Sequence, residues 1–211
     1  MVAVREPVLH TVPIIELRPT QITVGMREVL AKQKSWQQQE AKKRAEFLGR
    51  HMIPVIRGPK DRLYVLDHHH LSLALHNEGV ENVLVSSVVD LRMLSKEEFW
   101  VYLDNRCWVH PYDASGRRRD FEDIPGKISG LKDDPFRSVA GELRRIGGFA
   151  KDITPFSEFL WADFMRRRIS RSLAEDDFAK ALKQAMKLAK SEEASYLPGW
   201  CGPHVNNVNH A

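Results

Sequence analysis

The stretch that decides the fold is "RLYVLDHHHLSLALHNEG", Arg62 to Gly79, where a short apolar run ends in an aspartate and three consecutive histidines before a helical pattern begins. Leu63 to Leu66 reads as a strand. Leu71, Leu73, Ala74 and Leu75 form the apolar set of a helix that stops at Asn77 to Gly79. Asp67 stands where a helix N-cap is expected, with His68, His69 and His70 in the first turn. Upstream, "MIPVIRGPKD" completes a β-hairpin, with Ile53 to Ile56 turning through Gly58-Pro59-Lys60-Asp61 into that strand. Downstream, "NVLVSSVVDL" gives a third strand, Val83 to Val89, rich in β-branched residues.

Outward from this centre, "HTVPIIELRPTQ" predicts a short strand from Val12 to Leu17, closed by Pro19, and Met26 to His51 predicts one or two exposed helices. Ser95 and Glu98 make a capping box ahead of Phe99, Trp100 and Leu103. After the loop "VHPYDASGRRRDFEDIPGKISGLKDDPF", helices are expected over Arg137 to Ile146, Pro155 to Ser170 and Ala174 to Ala189. The order implies an α+β fold, with a small mixed sheet and its helices over residues 8–92. A helical second half, 93–205, is expected to pack on it as one unit.

Composition narrows the classes. In 211 residues, hydrophobic side chains make up 43% and charged ones 28%, ordinary globular usage that excludes a disordered or fibrous chain. No apolar run approaches the roughly 18 residues that would span a bilayer, and the opening "MVAVREPVLHTVP" lacks the pattern of a signal peptide, so a cytoplasmic protein is expected. Cys107 and Cys201 belong to no metal-binding spacing and read as reduced structural thiols. A net charge of +4 permits a polyanion without implying one. The basic runs "KKRAEF", "SGRRRDF" and "FMRRRISR" lie beside acidic residues, as solvated faces do.

Three readings of the histidine triplet compete. As a metal site the triplet alone does not converge, because neighbours on a helix diverge by about 100° and none of the three has a histidine four residues on; a site drawing His70, Asp67 and a distant carboxylate stays open. As an anion site it fits better, because a strand feeding a helix leaves first-turn amides unpaired and imidazoles can donate further hydrogen bonds. The third reading is structural, with Asp67 capping the helix and the imidazoles packed beneath a loop. Elsewhere, Arg137 and Ser138 at a predicted helix start could grip an anion together. Glu158, which can share a face with Trp161, sits among Phe156, Phe159, Leu160 and Phe164. It is expected to face solvent, the alternative being a buried acid.

The segment "PVIRGPKDRLYVLDHHHLSLAL" resembles the ParB/sulfiredoxin superfamily, whose pattern is a strand pair, then "DGHHR" or "GERR", then a helix. "VPIIELRPTQITVGMREV" is similar to the family's opening box, and "DDPFRSVAG" and "EFLWADFMR" look like blocks of a ParB-like nuclease branch. The resemblance implies nucleotide handling, with ATP, ADP or CTP phosphates against the turn at Asp67 to Leu71 and Mg²⁺ neutralising them. It implies catalytic roles for Asp67, His69, His70 and Glu28, and ligand contacts from His68, Arg137 and Ser138. Relative to "DGHHR", His68 replaces a glycine and Leu71 an arginine. The expected function is phosphoryl transfer or phosphate-ester hydrolysis on a small molecule or nucleotide. The alternative is a DNA-binding or ParB-like nuclease protein, disfavoured because the second helix around Gly147-Gly148 is aromatic and acidic where a recognition helix should be basic.

Overall fold

Alternation along the central strands feeds two separate cores. In the computed structural model, which describes residues 9–203, strands β4 (Ile53–Gly58) and β5 (Arg62–Val65) form the antiparallel hairpin. Ile53, Val55, Leu63 and Val65 face one side, while Ile56 and Tyr64 face the other. The described sheet has the order β1-β6-β4-β5-β2, with β1 (Leu9–Pro13) and β2 (Leu17–Arg18) at its edges and β6 (Asn82–Asp90) beside β4. β6 is antiparallel to β1 and parallel to β4, and β2 is parallel to β5, so the sheet is mixed as expected.

The expected opening strand from Val12 to Leu17 is two strands, separated by the single 3-10 turn Ile14–Glu16. In β6 the register slips: Val55 pairs with Ser87, but Ile56 pairs with Val89. The extra residue, Val88, is 50% exposed. This bulge moves Val89 to the face opposite Val83 and Val85, which an unbroken alternation would not do.

The first face is covered by α1 (Met26–Gln37) and α3 (His69–Asn77), with Val29, Trp36, Leu71 and Leu75 in its core. A second short helix, α2 (Arg44–Arg50), completes the expected pair before the hairpin. On the opposite face α4 (Lys96–Asn105), opened by the Ser95/Glu98 capping box, packs Phe99, Trp100 and Leu103 over Ile56 and Tyr64. A minor pair, β3 (Thr23–Val24) with β7 (Lys132–Asp133), had no counterpart in the sequence pattern.

By internal packing the chain falls into two units, one running to Asp113 and resuming at Arg117–Asp133, the other Ala114–Gly116 with the chain from Asp134. The second unit is helical: α5 (Pro135–Arg145), α6 (Ser157–Arg166), α7 (Arg171–Asp176) and α8 (Phe178–Ala189). Its core joins Phe136, Leu143, Trp161, Phe164 and the alanine stripe Ala181, Ala185 and Ala189. The predicted Ala174–Ala189 helix is divided where Asp177 leaves helical geometry and caps α8 through Lys180 N–H. Cys107 and Cys201 are free and exposed. Among the described residues no helix is long and apolar enough to cross a membrane.

Gly58 closes β4 against the aromatic core. A Cβ there would stand 2.6 Å from Tyr64 Cε2 and 2.8 Å from Phe99 Cε2. Gly58→Ala should therefore destabilise the protein by about 1–2 kcal/mol through overpacking. A urea midpoint equal to that of the parent would show that the rings yield freely.

Candidate functional site

Helix α3 begins one residue later than its sequence suggests. His68, not Asp67, is the N-cap, and it holds a left-handed conformation with φ 69°. Asp67 is exposed, its carboxylate accepting from the His68 N–H at 2.6 Å. The superfamily pattern places glycine at this position, and the positive φ gives the reason: a Cβ is disfavoured there by about 1–2 kcal/mol.

His69 and His70, in contrast, are buried. They are 4% and 8% exposed and point at two different backbone donors. His69 Nε2 accepts the Thr20 N–H at 3.1 Å, while the Thr20 hydroxyl donates to the Val65 carbonyl at 2.7 Å. His70 Nε2 accepts the Gly25 N–H at 3.0 Å, at the start of α1. The two imidazoles thus hold the segment Thr20–Gly25 against α3. Burial pushes the His69 pKa down to about 3, so the ring is neutral and its Nε2 lone pair is committed to Thr20. His68 is lowered too, first by burial. Glu28 is brought to His70, 3.6 Å from Nε2, and also pairs with Lys32 at 3.5 Å.

Arg137 and Ser138 belong to the second unit and are 7% and 5% exposed. Arg137 and Arg144 both pair with Glu158, and the Arg137 guanidinium lies 5.3 Å from the Phe159 ring centroid. Glu158 is consequently not the solvent-facing residue expected: its side chain is 17% exposed and neutralised by two arginines. Of its apolar neighbours in sequence, Phe164 is in the core, but Leu160 is 45% exposed. Asp134 caps α5 through Phe136 N–H and pairs with Arg166 at 2.5 Å.

Concavity and unpaired charge meet elsewhere, at the start of β5. The parallel register sets Arg18 opposite Tyr64, and alternation puts Arg62 on the same side of the strand. Together with Lys60 these cations line a cavity of about 350 Å³ floored by Tyr64 and Trp100 and walled by Phe121. A contiguous hollow of about 370 Å³ shares Arg18, Lys60 and Arg62 and adds Lys127. Arg62 and Asp67 are five residues apart in sequence, about 16 Å along extended chain, so this cleft is not the histidine turn.

Most arginines in the basic runs are ion-paired: Arg118 with Asp104, Arg119 with Asp113, Arg167 with Asp163, Arg168 with Glu193 and Arg171 with Glu175. Arg18, Lys60 and Arg62 have no such partner among the described residues. Lys60 is also held at a conformational cost, since it and Asp61 are successive left-handed residues, φ 61° and 56°. Strain of this kind collects at functional sites. Lys60→Gly should raise stability by about 0.5–1 kcal/mol while weakening anion binding. Thermal unfolding and phosphate titration of this variant should move in opposite directions; a parallel loss of both would contradict this assignment.

The sequence does not announce these three cations as a group, because "GPKDR" reads as turn punctuation and Arg18 lies 44 residues from Arg62. The available signal was a cluster of basic residues around a hairpin turn.

The crystal structure of protein Atu1540 from Agrobacterium tumefaciens is 56% identical to this chain, covers 93% of it and 99% of that protein, and superposes with a TM-score of 0.86. No curated protein matches the chain. With the family model described as "Putative ParB-like nuclease" matching residues 10–167, more than half of the sequence, the chain belongs to the ParB-like nuclease family.

Proposed function

We propose that this protein handles a small phosphorylated molecule of nucleotide size, by phosphoryl transfer or phosphate-ester hydrolysis, and seats its phosphate in the cleft of Arg18, Lys60 and Arg62. The observation that carries the reading is that these cations, unlike their paired neighbours, converge without a carboxylate partner on a cavity within the usual size range of small-ligand sites. Guanidinium groups suit phosphate because they donate in a planar fork. In this reading His69 and His70 are positioning residues. His69 fixes Thr20, two residues from Arg18 and the strand that carries one of the phosphate donors, and His70 fixes Gly25 further along the same segment.

The residues present do not fit a resident Mg²⁺. Among the carboxylates lining the cleft and its contiguous hollow, Asp61 is engaged by Arg57 and Arg92 and Glu122 by Lys96, which leaves Glu16 as a single carboxylate among Arg18, Lys60, Arg62 and Lys127. No step is therefore assigned to a metal. Duplex DNA is the weaker reading, because arginines in the basic runs are largely neutralised by acidic partners.

Titrating inorganic phosphate, a panel of nucleotides and a short duplex side by side at two ionic strengths tests the proposal. Phosphate-bearing small molecules should bind and survive the higher salt better than the duplex, since a partly enclosed site is screened less than an open surface. Salt-resistant duplex binding with no small-molecule response would reject it.

A further inference from the structure

The cleft contains a further cation that already has an anion. Lys96, the first residue of α4, lines the cavity, and its ammonium lies 2.9 Å from the carboxylate of Glu122, which lines the cavity too. The side chains are 66% and 69% exposed. A pair so open to water favours its closed state by about fivefold at most, so an incoming anion can exchange with it.

Aromatic rings connect this pair to the phosphate-binding cations. Lys96 and Trp100 are four residues apart on α4 and share a helix face. Trp100 meets Tyr64 edge-on at 5.4 Å and stacks on Phe121 at 5.7 Å, with 12° between the planes. Tyr64 in turn is the register partner of Arg18, and Phe121 precedes Glu122. The lining therefore runs from Arg18, Lys60 and Arg62, across Tyr64, Trp100 and Phe121, to Lys96. The middle of this path is an apolar strip of ring atoms, with Tyr64 and Trp100 each 6% exposed and Phe121 half-buried, where the two ends offer positive charge.

We infer that the cleft selects a ligand with three parts, a phosphate, a planar centre and a second anionic group, and that Glu122 occupies Lys96 in place of that second anion until the ligand displaces it. This rests on the phosphate reading above. It makes Lys96 and Glu122 specificity-determining residues of opposite sign, the first rewarding a second negative group and the second competing with it.

The test uses the full chain and four probes: inorganic phosphate, phenyl phosphate, and 3- and 4-carboxyphenyl phosphate, titrated calorimetrically. Phenyl phosphate should bind more tightly than inorganic phosphate, and at least one carboxylated ester about fivefold more tightly again. Lys96→Gln should erase that last gain and leave phenyl phosphate unchanged. Glu122→Gln should strengthen the carboxylated ester by about two- to fivefold while moving inorganic phosphate by less than about twofold. Both side chains are exposed, so unfolding midpoints should match the parent, which keeps any change in affinity interpretable. If the carboxylated esters bind no better than phenyl phosphate, or neither variant alters their affinity, the inference is overturned while phosphate binding through Arg62 still stands. Absence of any phosphate binding to the parent protein would remove the reading on which it rests.

Discussion

Replacing His69 with alanine is expected to lower stability by about 3 kcal/mol, although a polar residue in a helix's first turn would ordinarily be dispensable. The ring is 4% exposed and accepts the Thr20 N–H. Alanine leaves that buried donor unpaired, a loss of about 1–3 kcal/mol, and opens a cavity in addition. His69→Phe separates the two effects by keeping the volume and removing the acceptor, and should recover only part of the loss. Urea unfolding of the three proteins measures this directly. Equal stability of His69→Ala and the parent would mean that the imidazole is not structural. The same burial predicts a pH dependence. Because the folded His69 pKa, about 3, lies below the ordinary value near 6.5, the unfolded chain binds the proton more readily. The neutral-ring contribution is complete above about pH 6.5 and is lost as pH falls toward 3, at up to about 1.4 kcal/mol per pH unit. His69→Phe should flatten the stability profile across that window.

The second large effect concerns binding. Arg18→Gln combined with Arg62→Gln should reduce affinity for inorganic phosphate at least about tenfold, since each charge-assisted hydrogen bond contributes about 1.5–3 kcal/mol. The unfolding midpoint should hardly move, because Arg62 is exposed, Arg18 is half-buried, and neither has a carboxylate partner among the described residues to leave uncompensated. The control is Arg118→Gln, which removes a charge paired with Asp104. It should leave phosphate affinity intact. Equal losses in both proteins would mean that the effect is one of net charge and not of a site.

Where the sequence was readable, one local rule sufficed. Period-two alternation and the turn at Gly58-Pro59 defined the β4–β5 hairpin, and Ser95 with Glu98 fixed the start of α4. Where two rules competed, the boundary slipped: Asp67 has the chemistry of an N-cap, but its carboxylate satisfies its neighbour's N–H and His68 takes the capping position instead. Long-range pairing was not encoded locally at all. Nothing in "ELRPT" announces that Arg18 will lie beside Tyr64, because a two-residue parallel strand leaves no periodic trace. The histidine triplet was visible as chemistry but not as geometry. Three imidazoles in a row advertise a site, while the structure turns two of them inward onto backbone amides. The pairing of half-buried Glu158 was hidden for the same reason, since its partners Arg137 and Arg144 lie on the preceding helix.

The proposed anion site lies at the edge formed by β2 and β5, and not at the histidine turn. Backbone amide chemical shifts recorded while inorganic phosphate is titrated into the full chain test it most directly. Saturable shifts are expected at Arg18, Lys60 to Arg62 and Gly126 to Lys127, with the amides of Asp67 to Leu71 unmoved. Saturable shifts confined to Asp67 through Leu71, with the cleft residues silent, would contradict it.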